Sequence, residues 1–139
     1  MAISPATLTI TTTENLKLNG VTYGNTIVKS LTSCGEVTQR ILSAATTPGS
    51  PLLDLDTTTK QDNFVHFRVK NTDTSNFITL HLGGAVTGTH KVKLLAGESY
   101  EITCNEIWDY TAAAWDKIRR ITVIADSTAC DVEMFYVSK

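Results

Sequence analysis

Three cysteines, Cys34, Cys104 and Cys130, are all that the 139-residue chain carries, odd in number and far apart. No C-x-x-C pair occurs among them, which argues against a zinc or dithiol motif and against a disulfide framework; the expected state is the buried free thiol. Nowhere do 18 consecutive apolar residues occur, and Met1 to Pro5 carry no basic segment, so neither a membrane span nor a signal peptide is predicted. Charge of one sign is missing as well. Twelve Lys plus Arg face 14 Asp plus Glu, net −2, leaving no basic footprint for nucleic acid. The G-x-S-x-G, Walker, Rossmann and H-E-x-x-H signatures do not occur, which lowers the expectation of an enzyme. What is abundant is threonine, 23 residues, whose branched Cβ suits strands and whose hydroxyl suits turns. With 42% hydrophobic residues the chain is not disordered throughout, and its length suits one all-β domain over 1–139 with a core that needs no disulfide or metal.

Period-two alternation supports that class. Val65, Phe67 and Val69 alternate with His66, Arg68 and Lys70; after the turn-rich stretch 71–76, Ile78, Leu80 and Leu82 alternate with Thr79 and His81. These two strands are expected to pair as an antiparallel hairpin. Further strands are predicted at Lys91 to Leu95, Ser99 to Cys104, Ile121 to Ala125 and Val132 to Val137, at the spacing of a sandwich or barrel. The interior set is then Val65, Phe67, Val69, Ile78, Leu80, Leu82, Tyr100, Ile102, Ile121, Val123, Val132 and Met134, because a one-residue slip would turn every one of them outward. In the N-terminal half, Thr7 to Thr11 and Val21 to Thr26 flank a turn at Asn19-Gly20, and Val37 to Leu42 reads as another strand.

Two segments break the pattern. Between residues 105 and 117, Asn105 can cap a short helix carrying Ile107, Trp108, Ala112 and Trp115, with the two tryptophans seven apart on one face; a structured loop fits equally well. Residues 44–62, with Pro48, Gly49, Pro51 and Thr57 to Thr59, read as a long connection or an extended arm, and a connection of that length usually has a binding or bridging task.

Candidate chemistry is sparse. His66, His81 and His90 would suit a metal site if they converged, with His66 and His81 expected on the polar face of adjacent strands, but no carboxylate completes a ligand set and solvated histidines are the simpler reading. Asp54, Asp56 and Asp62 superficially match a calcium loop, yet the Gly and Glu of an EF-hand are missing. Glu98 with Glu101, or Asp109 with Asp116, read as solvated carboxylates, and Lys117, Arg119 and Arg120 as strand-edge charge. No metal and no cofactor is expected. Trp108, Tyr110 and Trp115 are the aromatic residues available as a platform for a sugar or a protein partner.

Four segments taken in order, Val69-Lys70-Asn71-Thr72, Leu94-Leu95-Ala96-Gly97-Glu98-Ser99-Tyr100, Ile121-Thr122-Val123-Ile124-Ala125-Asp126 and Ala129-Cys130-Asp131-Val132-Glu133, resemble small virion structural proteins of tailed bacteriophages. The resemblance covers roughly residues 64–139 and marks no catalytic or ligand position. It implies a jelly-roll-like antiparallel sandwich and a non-enzymatic part in a virus particle assembled in the host cytoplasm, decorating or cementing a capsid or sitting in the tail or neck. The implied partners are major capsid or tail proteins and further copies of the chain. A trimer suits the three-fold positions of an icosahedral shell. A carbohydrate-binding module and, last, a cupin-type metalloenzyme are the competing functions.

Overall fold

The computed structural model describes residues 5–47, 51–83, 89–109 and 113–139. About two-thirds of the chain is strand, and all pairing is antiparallel. In chain order the elements are β1 (Ala6–Thr13), β2 (Leu16–Leu18), β3 (Val21–Tyr23), β4 (Thr26–Cys34), β5 (Glu36–Ala44), β6 (Leu53–Asp54), α1 (Thr58–Asp62), β7 (Phe64–Asn71), β8 (Ile78–Gly83), β9 (Thr89–Leu94), β10 (Ser99–Ile102), β11 (Glu106–Asp109), β12 (Ala114–Lys117), β13 (Arg120–Ala125) and β14 (Cys130–Ser138). Two four-stranded sheets, β10-β7-β14-β5 and β6-β13-β8-β9, enclose the main core. The pairs are nested: β8 with β9, β7 with β10, β6 with β13, and β5 with β14.

Burial follows the alternation. Phe67, Val69, Ile78, Leu80, Ile121 and Val132 are completely buried, Leu82, Met134, Ile102 and Val123 nearly so, and Tyr100 packs against them half-buried. Val65 is buried elsewhere. A register shift between Val137 and Ser138 displaces it from the inward row, and it joins Val137 and Cys34 in a second cluster.

The expected hairpin of β7 and β8 does not form. β7 pairs with β10 and β14, whereas β8 pairs with β9 and β13, so residues 72–77 cross from one sheet to the other. The same holds for β13 and β14, joined across the sandwich by residues 126–129. Alternation reports which face of a strand is buried and is silent on its partner. The anchor of the crossing is Asn71, fully buried, whose Nδ2 donates to the carbonyls of Asn76 (2.8 Å) and Leu94 (3.2 Å) while its Oδ1 accepts from the Asp73 N–H (3.0 Å).

The described residues of 105–117 do not form the expected helix. Glu106–Asp109 and Ala114–Lys117 pair as the antiparallel strands β11 and β12, in which Trp108 faces Trp115 across the strands and the Ile118 N–H donates to the Asn105 carbonyl at their base. The seven-residue spacing that stacks two side chains on a helix also places them opposite each other in this hairpin; cross-strand aromatic pairing decides between the two.

The connection between β5 and β7 is not an arm from residue 51 onward. Leu52, Leu53 and Leu55 are buried in the main core, β6 forms the edge of the second sheet against β13, and Thr57 caps α1 by accepting from the Lys60 N–H. Gln61, itself buried, donates to the Leu55 carbonyl at 2.9 Å and ties α1 down. Residues 48–50 lie outside the described set.

Candidate interaction surface

The arm of this molecule is N-terminal. β1 and β4 make a two-stranded ribbon, separate from the two main sheets, that ends in the β2–β3 hairpin. At its root Leu8 and Leu31 pack on the outer face of the first sheet against Val65, Phe135 and Val137, and the Gly35 N–H donates to the Ser138 carbonyl. Farther along, Lys29 donates to the Thr103 hydroxyl at 3.0 Å. Beyond that point the side chains stand in solvent, Ile27 53% and Val28 61% exposed.

The hairpin beyond is built by its turn. Asn19 and Gly20 both have positive φ, 51° and 81°, as a two-residue type I′ turn requires. Gly24, at φ 118°, passes so close to the Glu14 carbonyl that no Cβ fits. The register pairs Leu16 with Tyr23 and Leu18 with Val21, which puts all four on one face, with Lys17 and Thr22 on the other. Each of the four is more than half exposed. A lone two-stranded hairpin is marginal in water, and one with a bare apolar face gains nothing from that face until something covers it.

A second exposed apolar strip lies on β5. This strand is an edge of the first sheet, and its outer face carries Val37 and Ile41, 65% and 70% exposed. Between the strip and the arm root runs a shallow groove of about 190 Å³, lined by Ala6, Leu8, Val37, Phe135 and Val137. A larger cleft of about 510 Å³ opens where β5 and β6 diverge, and its wall mixes Glu36, Arg40, Asp54 and Lys60 with Tyr136.

The aromatic platform is only partly described. Trp108 and Trp115 meet edge to face, centroids 5.4 Å apart and planes at 76°, with Trp115 68% exposed; Tyr110 lies outside the described residues. Perpendicular rings do not present the flat continuous surface on which successive sugar rings stack.

The histidines do not gather. His66 lies on the outer face of the first sheet and His81 in the second, so they are not on adjacent strands, and His90 pairs across from Leu82. Among the described residues no group of three or more His, Cys, Asp or Glu side chains is placed to hold a metal. The three aspartates with calcium-like spacing are each matched to a cation: Asp54 to Arg120 at 3.5 Å, Asp56 to Lys60 at 2.7 Å, and Asp62 to Lys117. Those pairs also account for two members of the basic run. Glu98 accepts from the Leu95 N–H at 2.8 Å and shapes a turn, and Glu101 faces outward on β10. Of the thiols, Cys34 and Cys130 are buried and Cys104 is exposed, against expectation.

His66 is nonetheless informative. It is buried beside Phe135, with ring centroids 5.8 Å apart, and its Nδ1 has no hydrogen-bond partner among the described residues. Burial holds its pKa below the ordinary value; Arg68 and Lys29 push the same way, and Glu101 opposes them. The unfolded chain therefore takes up a proton more readily than the folded one. Stability is full above about pH 6.5, falls as the pH drops through that value, and stops falling below the depressed folded pKa. Asp73, whose pKa is lowered by the Asn76 and Ser75 backbone N–H groups, loses its contribution only in the more acid window of a carboxylate. Thermal melts from pH 7.5 to 5 are expected to show a decline that His66→Leu reduces, His81 supplying a remainder because burial lowers its pKa too.

The exposure of Leu16, Leu18, Val21 and Tyr23 is not evident from the sequence alone. The available signal was the Leu-Lys-Leu and Val-Thr-Tyr alternation on either side of Asn19-Gly20, which fixes a shared apolar face without saying that nothing in the chain covers it. In comparisons with protein-family models, curated proteins and solved structures, nothing matches this chain.

Proposed function

We propose that the chain is a non-enzymatic structural subunit of a phage virion, self-associating and bound to the outside of a protein shell as a decoration or cement. The observation that carries this reading is the N-terminal ribbon, which holds an apolar hairpin face away from a body that already has its own core. Such a face gains stability when another surface covers it, and repeated copies on a symmetric shell turn weak contacts into avidity. We further take the sandwich to be a jelly roll: nested strand pairs that alternate between two four-stranded sheets are the pattern of two combined Greek keys. The major capsid protein is the partner in this reading, and a tail or neck protein is its close variant.

The exposed Trp115 favours a second reading, a carbohydrate-binding module. One experiment separates the two. Mass spectrometry and immunogold labelling of purified particles are expected to find the protein at regular positions on the shell, while tryptophan fluorescence stays unchanged on titration with soluble oligosaccharides. Absence from particles, together with a saturable fluorescence change, would reverse the order.

A further inference from the structure

The molecule exposes more surface than its mass requires. A compact chain of 15.1 kDa is expected to expose about 7,100 Å², whereas this one exposes 8592 Å², an excess of about 1,500 Å². A standard interface removes about 800 Å² from each partner, so the excess comes close to what two contacts would cover, one through the arm and one through the body. Two exposed surfaces on separate elements are apolar: the hairpin face of Leu16, Leu18, Val21 and Tyr23, and the β5 face of Val37 and Ile41. They lie on separate parts of one chain, and the strand carrying the second, nine residues long, has one edge unpaired among the described strands. A long edge with exposed apolar residues and no protecting proline invites pairing with another chain.

We propose that the hairpin face of one copy docks on the β5 face of a second copy, so that arms couple subunits head to tail. The inference deepens the self-association in the proposed function by assigning its contact. Every copy carries both halves of the interface, so the contact is heterologous and closes into a ring when the rotation per subunit allows, a three-fold ring being the form that matches an icosahedral three-fold position. The apolar groove between β5 and the arm root would lie beside the docked hairpin and lengthen the contact.

The test uses the full chain in sedimentation velocity and light scattering. One variant replaces the hairpin face (Leu16→Ser, Leu18→Ser, Val21→Thr, Tyr23→Thr) and the other replaces the β5 face (Val37→Ser, Ile41→Ser). All these side chains are exposed, so both variants should keep the near-UV dichroism and melting behaviour of an intact sandwich. The wild type is expected to form a closed oligomer. Each variant should raise the half-assembly concentration at least about a hundredfold, the effect of losing the centre of a contact. Mixing the variants restores one intact contact, hairpin of one on β5 of the other, and should give a heterodimer and nothing larger. A wild type that stays monomeric at millimolar concentration, or a hairpin variant that still assembles, would overturn the proposal; assembly surviving the β5 variant would mean that hairpins meet each other, and overturns it too. Attachment to purified particles is measured separately. A monomeric wild type that still binds them defeats the arm contact alone, and an oligomer that never binds them defeats the virion reading alone.

Discussion

Replacing Asn71 by leucine is expected to destabilise the protein by about 3 kcal/mol, although leucine is similar in size and more apolar. Three groups lose their partner at once: the carbonyls of Asn76 and Leu94 and the Asp73 N–H. Each buried polar group left unsatisfied costs about 1–3 kcal/mol, and of these the Leu94 contact is the fully buried one, so the total lies near one full penalty plus two partial ones. The effect spreads because the same residue organises one end of the sandwich. Its backbone N–H donates to the Glu98 carbonyl, its carbonyl accepts from the Gly97 N–H, and the adjacent Thr72 donates to the Asp131 carbonyl through both N–H and hydroxyl. Chemical denaturation is the measurement. The midpoint should fall at unchanged slope, and Asn71→Asp at neutral pH should not rescue it, because a carboxylate has no N–H to give the two carbonyls. A loss within 0.5 kcal/mol, the range of an ordinary surface substitution, would show that water replaces the amide.

That knot also gives physical content to three of the four segments on which the proposed virion reading draws. Val69-Lys70-Asn71-Thr72, Leu94 to Tyr100 and Ala129 to Glu133 meet at Asn71 and Thr72 through the bonds just named. Their residues are required where sheet-crossing loops have to satisfy buried backbone, a demand independent of virion function.

What was legible in the sequence follows from period. The faces of β7, β8, β13 and β14 could be read because one side of each is buried, and the inward row of Phe67, Val69, Ile78, Leu80, Ile121 and Val132 is complete. Pairing was not legible, since the same alternation fits β8 beside β7 or beside β13, and the difference lies in long-range contacts and in the buried amide of Asn71. Leu52, Leu53 and Leu55 were hidden because they sit among Pro51, Asp54 and Asp56 with no regular period, and only tertiary burial distinguishes them from loop residues. In the hairpin of Leu16 to Tyr23 the alternation is present and the burial is not, so period alone misreads an interaction surface as ordinary strand.

The two unusual segments should consequently respond in opposite ways to excision. Replacing residues 51–62 by a Gly/Ser linker removes three leucines at 4%, 8% and 2% exposure, the β6 edge and the Leu52 and Leu55 N–H bonds to the carbonyls of Ile121 and Arg119. Truncating a buried leucine costs about 2–5 kcal/mol, so three together exceed about 6 kcal/mol against a total stability of about 5–15 for a domain. Closure entropy changes little over such a loop and does not offset the loss. The expected product is a chain without cooperative unfolding. Excision of residues 15–24 with an Asn-Gly turn joining Glu14 to Asn25, neighbours already bonded from N–H to carbonyl at 2.8 Å, removes no residue of either core cluster. Its melt should therefore remain cooperative, with a midpoint close to that of the monomeric hairpin variant. Scanning calorimetry of both proteins decides the matter: a cooperative transition in the first, or its disappearance in the second, would mean that the long connection and the arm have been assigned to the wrong sides of the fold.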